Sequence, residues 1–190
     1  MPLTNGQLNT LKAAILAETD PVFVQYRTEG STGLMAEWFN QPASPAHTVW
    51  ASSVDVNTLL DTIDFSQYTP NTLPTDANAA VSTARLLAIQ TKQMNLQNMV
   101  LGRDRLNCSR DRVREGLLDA VIDIPSGTNG AVRSAAGAAG IRIVNAMTRP
   151  ATRGEKIFAT TQDSTGTVTA FNLVIEGQIS DTDVVLAVNR

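Results

Sequence analysis

The chain has 190 residues and a mass of 20.3 kDa, enough for one sizeable domain or two very small ones, with about 70% of the unfolded surface buried. Hydrophobic residues make up 43% and charged residues 17%, so Thr, Asn, Gln and Ser must cover an exterior weakly guarded against self-association. A single histidine, His47, and a single cysteine, Cys108, exclude an intrachain disulfide and a Cys/His zinc cluster.

Thr4 and Gln7 form a capping-box pattern, and Leu8, Leu11 and Ile15 recur at helical spacing. They predict a helix over 5–17, stopped by Asp20-Pro21. Residues 22–27 are helical or extended. A further helix starts at Ser31, Thr32 or Gly33 and carries Leu34, Met35, Trp38 and Phe39. Pro42 and Pro45 break it. Ser53 is expected to cap a helix through Val54, Val56, Leu59, Leu60 and Ile63, followed by a loop over 64–74. The longest predicted helix covers 76–101, without Pro or Gly, with Ala84, Leu86, Leu87, Ile89, Met94, Leu96 and Val100 as its apolar face. Gln90, Gln93, Asn95, Gln97 and Asn98 interrupt that face, and Gly102 ends it.

Ser109 is the expected cap of the next helix, whose apolar side is Val113, Leu117, Leu118, Val121 and Ile122. Pro125 and the glycine-bearing run after it predict a flexible Gly/Ala loop over 126–140. Residues 141–147 are ambiguous between strand and helix. Thr152 and Glu155 predict a capped short helix through Phe158. Alternating β-branched runs at Thr165–Thr169 and Phe171–Ile175 predict a hairpin or two strands. Ser180 and Asp183 form a last capping box, with Ile179 and Val184 as its hydrophobic staple. The expected fold is mainly α, a helical bundle with one long central helix, plus a small C-terminal β-hairpin or strands. It is organised as one domain over 1–190: a helical part over 1–125, the loop over 126–140, and a short helix, hairpin and closing helix over 141–190.

Charge is uneven. Residues 1–84 hold two basic and eight acidic side chains, residues 85–114 seven basic and two acidic, and residues 115–190 six basic and eight acidic. The basic segment contains Arg103, Arg105, Arg110, Arg112 and Arg114; Arg110 and Arg114, one turn apart, are expected on one face. Five surplus charges are few for a nucleic-acid binder and suit pairing with an acidic surface, on the same chain or a neighbour.

Chemistry is sparse. His47 would need an orienting carboxylate and a nucleophile that the sequence does not place beside it. Cys108 sits among arginines that would lower a thiol pKa, but has no second cysteine. Asp61 with Asp64, and Asp119 with Asp123, share helical faces and read as solvated acids more readily than as an acid–base pair. Gly127–Gly130 and Gly137–Gly140 lack the ending of a phosphate-binding loop. Trp38, Phe39 and Trp50 are expected to anchor the Pro-rich loop to the core. No catalytic, cofactor-binding or metal-binding residue is expected, no segment approaches the ~20 apolar residues of a membrane helix, and no signal peptide is readable over 1–16.

Four stretches carry a resemblance: NQPASPAHTVW over 40–50, QTKQMNLQNMVLGR over 90–103, TRGEKIFAT over 152–160 and EGQISDTDV over 176–184. In this order the chain resembles small structural proteins of tailed bacteriophages, and in size and helical content the head–tail adaptor, or head-completion, proteins. That resemblance implies a non-enzymatic virion protein made in the host cytoplasm. It would form a homo-oligomeric ring, twelvefold by analogy, between the portal protein and a tail or nozzle connector, with packaged DNA passing through without sequence-specific binding. A tail-side connector, a tail component or a capsid-associated protein are alternatives within that class; a small DNA-binding module and a small soluble enzyme are alternatives outside it. The candidate channel or subunit-interface residues are Arg103, Arg105, Arg110, Arg112, Arg114, Gln93 and Gln97.

Overall fold

The computed structural model describes residues 3–68, 79–125 and 138–190. Its elements follow local sequence signals closely at the N-terminus. Helix α1 (Asn5–Ala17) begins at the Thr4–Gln7 capping box, with both reciprocal bonds formed. Helix α2 (Pro21–Thr28) has Pro at its first position and Asp20 as its cap, the carboxylate accepting from the Val22 N–H. Helix α3 (Thr32–Asn40) buries Met35, Ala36, Trp38 and Phe39.

Two expected caps are corrected. Ser53 does not cap a helix: Val54–Asp55 is a strand, β2, after β1 (Thr48–Trp50). Asp55 caps the short α4 (Val56–Leu60), its carboxylate accepting from the Asn57 and Thr58 N–H groups. An ionised acceptor at that position outcompetes the earlier hydroxyl, and Ser53 Oγ instead accepts from Arg105 at 3.1 Å. Ser109 is likewise not the cap of α6 (Asp111–Val121). Arg110 holds that position without a side-chain bond, and the Ser109 hydroxyl donates to Asn107 at 2.6 Å. A 3-10 turn over Phe65–Tyr68 occupies the start of the expected 64–74 loop; the rest lies outside the described residues.

Helix α5 spans Ala79–Val100, about 33 Å at 1.5 Å per residue. Strand β3 (Arg105–Leu106) follows it and pairs antiparallel with β2, Val54 opposite Leu106. Helix α7 (Ala138–Ala146) resolves the ambiguity over 141–147 and begins inside the expected Gly/Ala loop; residues 126–137 of that loop lie outside the described residues. Strand β4 (Thr148–Pro150) leads to α8 (Arg153–Ile157), which carries the expected Thr152–Glu155 capping box.

The hairpin is present but shifted. Strands β5 (Ala159–Thr165) and β6 (Val168–Leu173) flank a turn at Gly166, where φ is +58°. Glycine adopts that angle without steric cost, so the turn falls inside the run expected to be the first strand. A four-stranded sheet has the order β4-β1-β6-β5, with β1 parallel to β6 and Val49 opposite Phe171. Helix α9 (Asp181–Val188) closes the chain from the expected Ser180–Asp183 capping box. The fold is mainly α with a small β component.

The chain forms two compact units, neither continuous in sequence. One contains residues 1–49, 150–162 and 171–190; the other contains residues 50–149 and 163–170. The first unit packs α1 and α3 against α9 and α8 around Leu11, Ile15, Phe23, Phe39, Ile179 and Val184, all buried. Phe23 meets the Phe39 ring edge-on at 5.4 Å, a favoured aromatic geometry. The second unit packs α6 against α5 and α7, with Trp50, Leu59, Leu96, Leu117, Ile143 and Met147 in its core.

Candidate functional site

The arginines of the basic segment do not act together. Arg103, Arg105, Arg110 and Arg112 are exposed, but Arg114 is buried, its side chain 1% exposed. Arg110 and Arg114 therefore do not share a solvent face: Arg110 stands at the helix entrance, while Arg114, one turn on, points inward. Arg114 Nη2 meets the Asp163 carboxylate at 2.7 Å, Nε donates to the Thr165 hydroxyl at 3.0 Å, and Nη1 donates to the carbonyls of Cys108 and Ser109 at 3.0 and 2.9 Å. The guanidinium lies 4.2 Å from the centre of the Trp50 ring, and the Trp50 indole N–H donates to the same Asp163. A buried cation requires such compensation, and this cluster ties α6 to Asp163 and Thr165 within the second unit. The four exposed arginines alternate with exposed Asp104, Asp111 and Glu115, which reduces the local field.

Cys108 is fully buried. Burial pushes its thiol up to about 11, outweighing the opposing influence of Arg114. The arginines nearby in sequence therefore do not make it a thiolate at neutral pH. His47 stacks on Phe171 at 4.1 Å, and its Nε2 is buried without a hydrogen-bond partner. Burial and the neighbouring Lys156 charge hold the imidazole below its ordinary value. The paired-acid readings also separate. Asp119 meets Lys92 at 3.4 Å, while Asp64 accepts from the Ser66 hydroxyl, the Gln67 amide and the Ser66 N–H, which hold its carboxyl low. Among the described residues no three His, Cys, Asp or Glu side chains come together as a metal site, and no helix is long and apolar enough to cross a membrane.

Helix α5 differs most from the sequence reading. Ile89 and Leu96 are its buried residues, Leu96 in one cluster with Met99 and Val100 packed against it and Ile89 in another with Tyr68 and Ile124. Leu87 and Met94, expected on the same face, point the other way: they are 56% and 60% exposed, and Leu101 just beyond the helix is 78% exposed. At 3.6 residues per turn, Leu87 and Ile89 are separated by about 200° and cannot share a face. The outer stripe repeats every seven residues, and Gln90, Gln93 and Gln97 stand exposed beside it. No charged residue occurs between Lys92 and Arg103. Gln93 and Gln97, two of the candidate interface residues, thus lie on a helix that is apolar on its inner side and amide-rich and apolar on its outer side.

A second feature, confined to the first unit, is a cleft of about 550 Å³ where the ends of α1 and α3 meet α8. No protein-family model, no curated protein and no solved structure matches the chain.

Proposed function

We propose that the chain is a structural subunit of a tailed-phage particle, a head–tail adaptor that assembles with copies of itself into a ring between portal and tail around the DNA channel. The observation that carries this reading is the outer stripe of α5. Leu87, Met94 and Leu101 stay 56–78% exposed at the seven-residue spacing with which one helix meets another. Exposed apolar residues lined up on one element mark a protein-binding surface more readily than scattered ones. The occupant best suited to it is a second copy of the chain. An uncharged seam meets itself without like-charge repulsion, and facing Gln90, Gln93 and Gln97 side chains each offer both donor and acceptor. Permanent contacts are depleted in charge, as this seam is.

The exposed arginines fit a DNA-lined channel only weakly, since each phosphate contact adds salt-dependent grip and Asp104, Asp111 and Glu115 stand among them. Passage without retention is the behaviour expected of such a surface. The test is assembly with the particle's own portal: light scattering of the purified chain mixed with portal rings is expected to give one species heavier than the ring. A chain that leaves the ring mass unchanged, and binds no other particle component, contradicts the reading.

A further inference from the structure

The cleft in the first unit carries charge that the fold itself does not use. Arg153 and Lys156, one turn apart on α8, line it together with Trp38 and Phe39 of α3. The Arg153 guanidinium carbon lies over the Trp38 indole, 3.7 Å from the ring centre. Among the described residues neither cation has an ion-pair partner, and Arg153 Nε and Trp38 Nε1 are buried N–H groups without acceptors. An unmet buried donor costs about 1–3 kcal/mol, and two on adjacent stacked side chains is uncommon in a region with no other purpose.

Two carboxylates, Glu18 and Asp20, also line the cleft, and each is held by backbone N–H groups rather than by a cation. Glu18 accepts from the Thr19 and Asp20 N–H groups at 2.9 and 3.1 Å, and Asp20 caps α2 through the Val22 N–H at 2.9 Å. The carbonyl end of α1, which would repel an anion, is covered by Arg27: its Nη1 donates to the Ile15 and Leu16 carbonyls at 2.7 and 3.1 Å. Among the described residues the two cations are left unpaired by those carboxylates and stand beside an apolar wall that includes Phe39 and Ile157. Arginine stacked on an aromatic ring is held in one plane, the arrangement that receives a planar carboxylate through two parallel bonds.

We propose that this cleft binds an organic carboxylate, the anion held by Arg153 and Lys156 and the apolar body lying against Phe39 and Ile157. The chain contains two tryptophans, which makes the test direct. The Trp50 indole N–H donates to Asp163 in the other unit, whereas the Trp38 indole N–H is free to report on the cleft. In a ¹H–¹⁵N spectrum of the full chain, with Trp38→Phe assigning the two indole signals, benzoate is expected to move the Trp38 signal and leave that of Trp50 in place. Neutral benzamide and inorganic phosphate are expected to move it far less. R153Q and K156M are each expected to raise the benzoate dissociation constant about tenfold, the effect of losing one charge-assisted bond, with an unchanged dispersion of the backbone amide signals certifying the fold. An unmoved Trp38 signal at saturating benzoate overturns the proposal. So does an equal response to benzamide or phosphate, or unchanged benzoate binding by both variants.

Discussion

Arg114 shows how a single side chain can be worth more to the fold than to the surface. It is fully covered and meets Asp163, Thr165, two carbonyls and the Trp50 ring. Arg114→Met would leave those acceptors without their donor. Breaking a buried ion pair costs about 3–5 kcal/mol, and the partial exposure of Asp163 places the expected loss at the lower end, about 3 kcal/mol. Urea unfolding of the two proteins measures it, and a loss under 1 kcal/mol would contradict the network's importance. Two other buried groups set the alkaline limit. Cys108 titrates near 9.0 when unfolded and near 11 when folded, and Tyr68, whose hydroxyl donates to the Ala120 carbonyl at 2.7 Å, is raised from 10.0 to about 12. Both pKa values are raised, so this stability is complete below about pH 9 and is lost as pH climbs toward 11 and 12. The urea midpoint is expected to fall over that window, with Cys108→Ala removing the earlier part of the fall and Tyr68→Phe the later. His47 runs in the opposite sense. Its folded value lies below 6.5, so its contribution is present above that pH and disappears in acid, as the unfolded chain takes up a proton first. His47→Gln is expected to flatten the stability profile between pH 7 and 5, and an unchanged slope would show that the imidazole is not shielded. None of these roles could be read from the sequence. The arginine run announced charge, but burying Arg114 required Asp163, forty-nine positions away.

At the scale of elements, the signals that succeeded were short-range. The capping boxes at Thr4, Thr152 and Ser180 placed three helix starts to the residue, because the bonds that define them close within one turn. Strands β1 and β4, three residues each, could not be anticipated: no periodicity fits in three residues, and β1 is paired with Phe171, far along the chain. The single-faced reading of α5 failed because apolar residues on opposite sides were counted together, although the seven-residue spacing of Leu87, Met94 and Leu101 was visible throughout. Close packing between elements rests partly on glycine. A Cβ on Gly154 would lie 2.8 Å from Ile179 Cγ1 and 3.3 Å from the Phe39 carbonyl oxygen, where α8 meets the cap of α9 and the end of α3. Gly154→Ala is therefore expected to destabilise the first unit by about 1–3 kcal/mol, read as a lower thermal midpoint. Gly33→Ala, where nothing lies within 4 Å, is the control expected to leave the midpoint in place or raise it.

For the whole molecule, low charge content and an outward apolar helix describe the same property at two resolutions. Composition indicated an exterior suited to being covered, and α5 localises that tendency to one stripe. The mainly helical class was legible because helices are built from local contacts. The grouping of residues 150–162 and 171–190 with residues 1–49 was not, since it depends on pairings between distant segments. The most direct measurement of the central claim is the molar mass of the purified chain across a range of concentrations, beside that of the L87Q/M94Q/L101Q variant. The parent chain is expected to form a defined multiple of 20.3 kDa, and the variant to remain a folded single chain. A parent chain that stays at 20.3 kDa at every concentration, or a variant that assembles equally well, would contradict self-assembly through α5.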